Sequence, residues 1–287
     1  MGDTIVGVMW NYNEGDILEE IIEAAVKTDI NCLWIADEGS SDNSWKIIEA
    51  AKERHSKIEY VKCGRIKGDK GQRQHLLDEV RRRYKPENTW MQIIESDIMI
   101  LDTSVRDAIS RFAIDDLSVC WHTINCHRRD WSGVDKYPNW EHSIKELMDL
   151  GSYMESMLYT FRPLPKLKYR KKPWRPWPQN FTAYTGNKLD VRAMHEDAPL
   201  LAHYGYRGPT HFYQKYKGMG DCHSKYRNWR LTSVESVRRT VPWFNGEYVG
   251  KIVPVSREGW KVYLEKVMRR RNKKKQRKVN ARRKANS

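Results

Sequence analysis

Residues 4–45 read TIVGVMWNYNEGDILEEIIEAAVKTDINCLWIADEGSSDNSW, and their periodicity decides the fold class. Thr4–Trp10 is an apolar run of strand length. Asp16–Val26 carries apolar residues at Ile17, Leu18, Ile21, Ile22 and Ala25, the spacing of one helix face. Asn31–Ala36 is a second strand, and Ser41 or Asp42 is placed to cap a second helix through Trp45, Ile47, Ile48 and Ala51. Further along, Ile58–Val61 reads as a strand, Gly71–Arg83 as a helix with Leu76, Leu77 and Val80 inward, and Trp90–Ile94 as a fourth strand. Strands alternating with helices predict an α/β fold, a mostly parallel central sheet flanked by helical crossovers.

In such a sheet, ligands bind beyond the carboxyl ends of the strands. Asn11–Glu14 follow the first strand, Asp37–Asp42 the second and Glu95–Asp97 the fourth, so carboxylates from three strand ends converge on one edge. The chain has no G-x-G-x-x-G after its first strand and no Walker loop, which excludes a bare backbone cradle for phosphate. Phosphate binding there needs a metal or basic side chains. Glu95 and Asp97, two apart on an extended strand end, suit one hard divalent cation, Mg²⁺ or Mn²⁺.

Composition narrows the class. The chain has 287 residues, 39% of them apolar and 31% charged, enough for a sizeable core. It has no apolar run of 18 residues, so no transmembrane segment is expected. The opening residues carry acids early and no basic stretch, which argues against a secretory signal. Five cysteines without C-x-x-C spacing argue against a disulfide framework and fit a reducing, cytoplasmic setting. Residues 120–127, CWHTINCH, group two Cys with two His, and buried strand cysteine is the expectation there rather than zinc.

Charge is unevenly distributed. Residues 1–115 hold 16 Lys and Arg against 22 Asp and Glu; residues 116–260 hold 23 against 14; residues 261–287 hold 13 against 1. The basic second half and basic tail point to a polyanionic partner. Residues 162–178, RPLPKLKYRKKPWRPWP, interleave prolines, cations and tryptophans, a pattern that forbids regular helix and suits a loop against stackable, anionic groups.

YNEGD (12–16), ADEGSSDNSW (36–45), IIESD (93–97) and LLAHYGYRGPTHFYQKY (200–216) stand in the order and at the distances of known landmarks. The chain resembles the family-2-like glycosyltransferases with the nucleotide-sugar-binding GT-A fold. The resemblance covers residues 4–102 strongly and resumes at 200. It implies that 1–115 is the nucleotide-sugar-binding half of a GT-A domain and 116–260 its acceptor-binding half, while the charge count sets 261–287 apart as a basic C-terminal extension. It also implies roles. Tyr12 and Glu14 line the nucleoside, Asp37 accepts from the base, and Arg73 approaches the diphosphate. Glu95 lies beside the sugar-ribose end of the donor, Asp97 ligates Mn²⁺ or Mg²⁺, and His203 matches a further metal ligand used by some members. Glu196-Asp197 is the best match to the acidic pair that supplies the general base of an inverting transfer, with Asp130 and Asp135 as rivals. Trp10 departs from the pattern, which has a small or Pro-like residue there, and Glu38 replaces a usual Asp.

The resemblance implies a metal-dependent transferase using a nucleoside-diphosphate sugar, expected to be a UDP-sugar. Charge and aromatics direct the acceptor reading to DNA carrying a hydroxylated base, as in phage enzymes that glycosylate their own genome within the host cytoplasm. A cell-envelope glycan or lipid-linked sugar is the alternative, with the tail on an anionic membrane. A non-catalytic polyanion-binding protein on the same scaffold is a third reading, opposed by the intact Asp37, Glu95 and Asp97.

Overall fold

A computed structural model describes residues 2–64, 71–102, 104–113, 116–128, 143–165, 167–169, 178–179, 196–205, 207–213, 232–240, 253–265 and 269. The first part alternates as expected: β1 (Thr4–Asn11), α1 (Leu18–Val26), β2 (Cys32–Asp37), α2 (Ser44–Arg54), β3 (Ile58–Cys63), α3 (Gly71–Arg83) and β4 (Thr89–Ile93). α1 starts two residues later than the apolar spacing suggests. The Glu14 carbonyl first accepts from Ile17 N and Leu18 N, both at 3.0 Å, and closes a turn ahead of the helix. α2 likewise starts at Ser44, whose N–H donates to Asp42 Oδ1 at 3.0 Å while Gly15 N donates to Asp42 Oδ2 at 2.9 Å. Asp42 thus ties the entrances of both helices together.

The rest contributes β5 (Ile98–Ile100), α4 (Val105–Phe112), β6 (Ser118–His127), α5 (Ile144–Leu147), β7 (Leu150–Phe161), β8 (Lys168–Tyr169), β9 (Pro178–Gln179), β10 (Leu200–His203), α6 (Val234–Thr240) and β11 (Val253–Pro254). The main sheet has the order β3-β2-β1-β4-β7-β6-β10-β5, with β11 on β7. β1 is parallel to β2 and β4, β2 to β3, and β6 to β10. β7 runs antiparallel to both β4 and β6, and β5 antiparallel to β10. The reversed β7 joins the acidic first part of the chain to the basic second part within one sheet. The start of β5 therefore lies at the same edge as the ends of β6 and β10, where His203 pairs in register with both Ile98 and Asn125.

The core explains the strand composition. Trp34, Trp90 and Trp121 are fully buried among aliphatic residues of both sheet faces and helices. On β6, Cys120, His122 and Cys126 are buried as expected for a strand interior. Burial, aided by the nearby Arg257 cation, holds the His122 imidazole down to about 3. Its ring lies 4.4 Å from that of Trp260. Residues 257–265 are helical, and Arg257 fastens them through Asp102 at 2.6 and 2.9 Å. Of the apolar residues expected to dock the tail, Leu264 packs near Trp260 whereas Val262 is exposed. Val267 and the densely basic run after it lie outside the described residues, as do 170–177 of the proline-rich segment. No described helix is long and apolar enough to cross a membrane.

Candidate active site

The edge formed by the ends of β1, β2, β4, β6 and β10 carries most of the expected residues. The loop after β1 is stitched to the loop after β2. Asn13, at φ 53°, donates its N–H to Ser40 Oγ at 2.8 Å and accepts from Ser41 N at 2.8 Å. Gly39, at φ 85°, supplies the left-handed turn that β2 needs to leave the sheet. Beneath this turn Asp37 is fully buried. Its Oδ1 accepts from Gly39 N at 2.9 Å and Ser40 N at 2.8 Å, and its Oδ2 from Asn11 Nδ2 at 2.7 Å and Ser40 Oγ at 2.6 Å. A carboxylate has about four acceptor sites. The expected open acceptor for a base is, in this conformation, an Asx-turn anchor whose lone pairs are all engaged.

Glu14 also differs from the nucleoside-lining role expected of it. It is buried, and its carboxylate accepts from Arg207 Nη2. Arg207, itself fully buried, donates Nε and Nη2 to the two oxygens of Asp16 at 2.7 and 2.9 Å, and Nη1 to the Tyr204 carbonyl at 3.0 Å. Burial alone would lower the guanidinium pKa, but Glu14 and Asp16 hold it above the usual arginine range. Glu14, Asp16 and His211 bring possible metal-ligating atoms within 4.8 Å of one another. The guanidinium already bridges the two carboxylates, so this cluster is an ion-pair knot. It joins the YNEGD and HYGYR segments.

Asp97 and His203 do come together. His203 Nε2 stands 3.3 Å from Asp97 Oδ2, with both side chains mostly buried. His203 Nδ1 is 2.7 Å from Asn125 Oδ1. The Asn125 carbonyl oxygen accepts, so Nδ1 donates and Nε2 is turned towards the Asp97 carboxylate. A proton on Nε2 or a cation between the two groups satisfies this approach. Asn125 fixes the orientation of the His203 ring, as the outer partner of a ligating histidine would. Gly205 leaves the room: a Cβ there would lie 2.5 Å from His203 Nε2 and 3.3 Å from Asp97 Oδ2. One carboxylate and one imidazole fit a divalent cation, with the nitrogen ligand favouring Mn²⁺ over Mg²⁺. Tyr204 N donates to the Asp97 carbonyl at 2.8 Å and fixes the two strand ends. Under them, the Tyr159 hydroxyl is pushed well above its ordinary range by burial and by the Glu95 and Asp97 carboxylates.

Tyr12 presents its ring to solvent at 54% exposure. Arg73, in the first turn of α3, lies over the Trp10 ring, 4.3 Å from its centroid. Glu196 and Asp197 are not brought to this edge. They precede β10, whereas Asp97 and His203 meet at its far end. Asp197 pairs instead with Arg111 at 2.9 Å, both half-exposed, and the Glu196 carbonyl accepts from Arg257 at 2.9 Å. The reason is directional: a strand separates its two ends, however close they are in sequence. The rival bases Asp130 and Asp135 lie outside the described residues.

A cleft of about 1030 Å³ opens beside Asp16 and His211. Its walls carry Asp16, Glu19, Glu20, Glu23 and Asp42 against three cations, so it is a poor seat for a polyanion.

Sequence reasoning did not assign Arg207 or Asn125. Arg207 was visible as the basic end of HYGYR, but its acidic partners lie 191 and 193 residues away. Asn125 gave no signal beyond its place on a strand two residues from His127.

The family model for glycosyl transferase family 2 matches residues 8–174, more than half of the chain. No match was found among curated protein sequences. Among solved structures, the chain is similar to S. aureus TarS 1–349 at 13% identity, covering 84% of this chain and 70% of that one, with a TM-score of 0.38. It is also similar to the mannosyltransferase PcManGT from Pyrobaculum calidifontis in complex with GDP-Man and Mn²⁺, at 16% identity, covering 45% and 36%, TM-score 0.32. A third is glucosyl-3-phosphoglycerate synthase from Mycobacterium tuberculosis in complex with Mn²⁺, UDP and glucosyl-3-phosphoglycerate, at 15% identity, covering 43% and 44%, TM-score 0.28. The chain spans less than half the length of these last two. Those likenesses are too distant to transfer a substrate. The family match rests on the segment that runs from the end of β1 through β7 and holds the Tyr12, Asp37 and Asp97 strand ends, and on it the chain belongs to glycosyl transferase family 2, with a GT-A fold.

Proposed function

We propose that the protein transfers a sugar from a nucleoside-diphosphate sugar, most simply a UDP-sugar, to a hydroxyl acceptor with inversion, using a divalent cation held by Asp97 and His203. The carrying observation is the 3.3 Å approach of His203 Nε2 to Asp97 Oδ2, with the Nδ1 proton held by Asn125. A cation bound there neutralises charge that builds on the leaving diphosphate. The protein's own groups supply the rest. Tyr12 offers a ring face to the base, Arg73 offers N–H donors to the diphosphate, and Glu95 lies beside the sugar-ribose end. Asp37 keeps the loop after β2 stiff under the donor. Glu14 reaches the nucleoside indirectly, by fixing the start of α1 through Arg207. The general base that takes the acceptor proton belongs to a group other than Glu196 or Asp197.

For the acceptor, the reading rests on charge. The basic second half and tail suit a polyanion, and we favour DNA carrying a hydroxylated base. The acidic cleft beside Asp16 is not where such an acceptor lies. The experiment is mass spectrometry of hydroxymethylated DNA and of a cell-envelope glycan after incubation with a UDP-sugar panel and Mn²⁺. A sugar mass added to DNA supports the reading, addition to the glycan alone redirects the acceptor, and full activity in EDTA removes the cation. Absence of both nucleotide binding and sugar release favours the non-catalytic alternative.

A further inference from the structure

We propose that Trp10 is a positioning residue that presents Arg73 to the donor diphosphate; the inference rests on the donor reading above. Three observations carry it. First, Arg73 sits in the first turn of α3, where a cation opposes the positive end of the helix dipole, so helix stability does not account for it there. Second, among the described residues it lies over the Trp10 ring, 4.3 Å from its centroid, and makes no hydrogen bond or ion pair. Arg81 and Arg82 of the same helix are bound to three carbonyls and to Glu79, and Arg83, at the opposite end of the helix where a cation suits the dipole, lies over the Trp34 and Tyr60 rings. Third, Arg73 and the Glu95 and Asp97 carboxylates all bear electrostatically on the buried Tyr159 hydroxyl, so the three charges lie around one buried group.

The chemistry of this contact differs from that of an ion pair. A carboxylate partner consumes two of the five guanidinium N–H groups and cancels the charge. An aromatic face attracts the cation through its quadrupole and leaves the in-plane donors unused. Trp10, 8% exposed at the end of β1 and wedged into the core, is a rigid support of this kind. Arg73 is therefore held in place with its donors free for the oxygens of a diphosphate, which a guanidinium meets in bidentate fashion.

The test is titration calorimetry of UDP and of uridine, each with Mn²⁺, on the wild type, Trp10→Leu, Trp10→Phe, Arg73→Ala and the Trp10→Leu/Arg73→Ala double variant. Trp10→Leu is expected to weaken UDP by roughly tenfold, the size of a partly desolvated cation–π contact, and to leave uridine unchanged. Trp10→Phe, with a weaker ring, falls between. In the Arg73→Ala background Trp10→Leu adds nothing. Wild-type UDP affinity in Trp10→Leu, equal losses for UDP and uridine, or additive losses in the double variant each overturn the inference. If Trp10→Leu does not fold, Trp10→Phe decides: an undiminished preference for UDP over uridine overturns it. A wild type that binds neither UDP, GDP nor ADP overturns the donor reading, and this inference falls with it.

Discussion

Arg207 grips Asp16 with two parallel hydrogen bonds, Nε to Oδ2 at 2.7 Å and Nη2 to Oδ1 at 2.9 Å, across 191 residues of chain. Together with its bond to Glu14, this contact makes the segment after β10 part of the wall behind the loop after β1. Replacing one partner of such a buried pair leaves a charge stranded. Arg207→Leu should cost about 3–5 kcal/mol of stability, a fall in Tm of roughly 10 °C for a domain of this size. Thermal unfolding followed by circular dichroism checks it. Arg207→Lys should recover little, because an ammonium lacks the planar fork. A variant that melts with the wild type would mean the knot is dispensable.

The proposed metal pair, Asp97 and His203, yields a second expectation. Asn125→Ala removes the acceptor that orients the His203 ring, and loss of such an outer partner lowers metal affinity by about 10–100-fold. Calorimetry with Mn²⁺ should show this while the unfolding midpoint in the absence of metal moves little. Asp97→Asn and His203→Ala should abolish the same binding. Unchanged Mn²⁺ affinity in Asn125→Ala would remove its orienting role.

Asp197→Asn and Glu196→Gln should leave transfer within about twofold of the wild type. Both residues sit at the wrong end of β10, and the Asp197–Arg111 pair, half-exposed on both sides, contributes about 1 kcal/mol or less. Steady-state rates with a UDP-sugar decide the point. A hundredfold loss in either variant would place an acid at the site that the geometry does not.

His122 predicts an acid limit to stability. Its folded pKa is held down to about 3, against about 6.5 in an unfolded chain. Between these values the unfolded chain binds a proton that the native state refuses, so stability falls as pH drops from about 6.5 towards 3. The loss by pH 5 is about 2 kcal/mol from this residue. Urea unfolding at pH 7.5 and pH 5 should show it, and His122→Phe, which keeps a ring beside Trp260, should flatten the dependence. An equally steep profile in that variant would locate the sensitivity elsewhere.

What was legible in the sequence followed from local rules. The alternation of β1 to β4 with α1 to α3 came from periods of two and 3.6, and the acidic strand ends followed from the parallel arrangement. Asp97 meeting His203 rested on the resemblance, since no spacing rule links residues a hundred apart. The engagement of Asp37 was readable in principle: Gly39, two residues on, is the N–H donor that an Asx turn uses. Glu196 and Asp197 were misplaced because nearness in sequence to His203 stood in for nearness in space, and a four-residue strand intervenes. Arg207 with Asp16, and Asn125 with His203, are tertiary pairings between distant elements, and one sequence carries no record of them.

Asp97, Asn125 and His203 reach their common edge from β5, β6 and β10, and the strands meet only after the reversed β7 has closed the sheet. A nascent chain with β1 to β4 in place has the acidic strand-end loops but not His203, the second ligand proposed for the cation. Pairings of such long sequence separation form slowly, and partly built sheets are prone to association. If Asp97 and His203 hold a cation as proposed, its affinity appears at the end of folding, as a property of the finished sheet, and an unfinished chain carries the landmarks of a transferase before it can hold that ion.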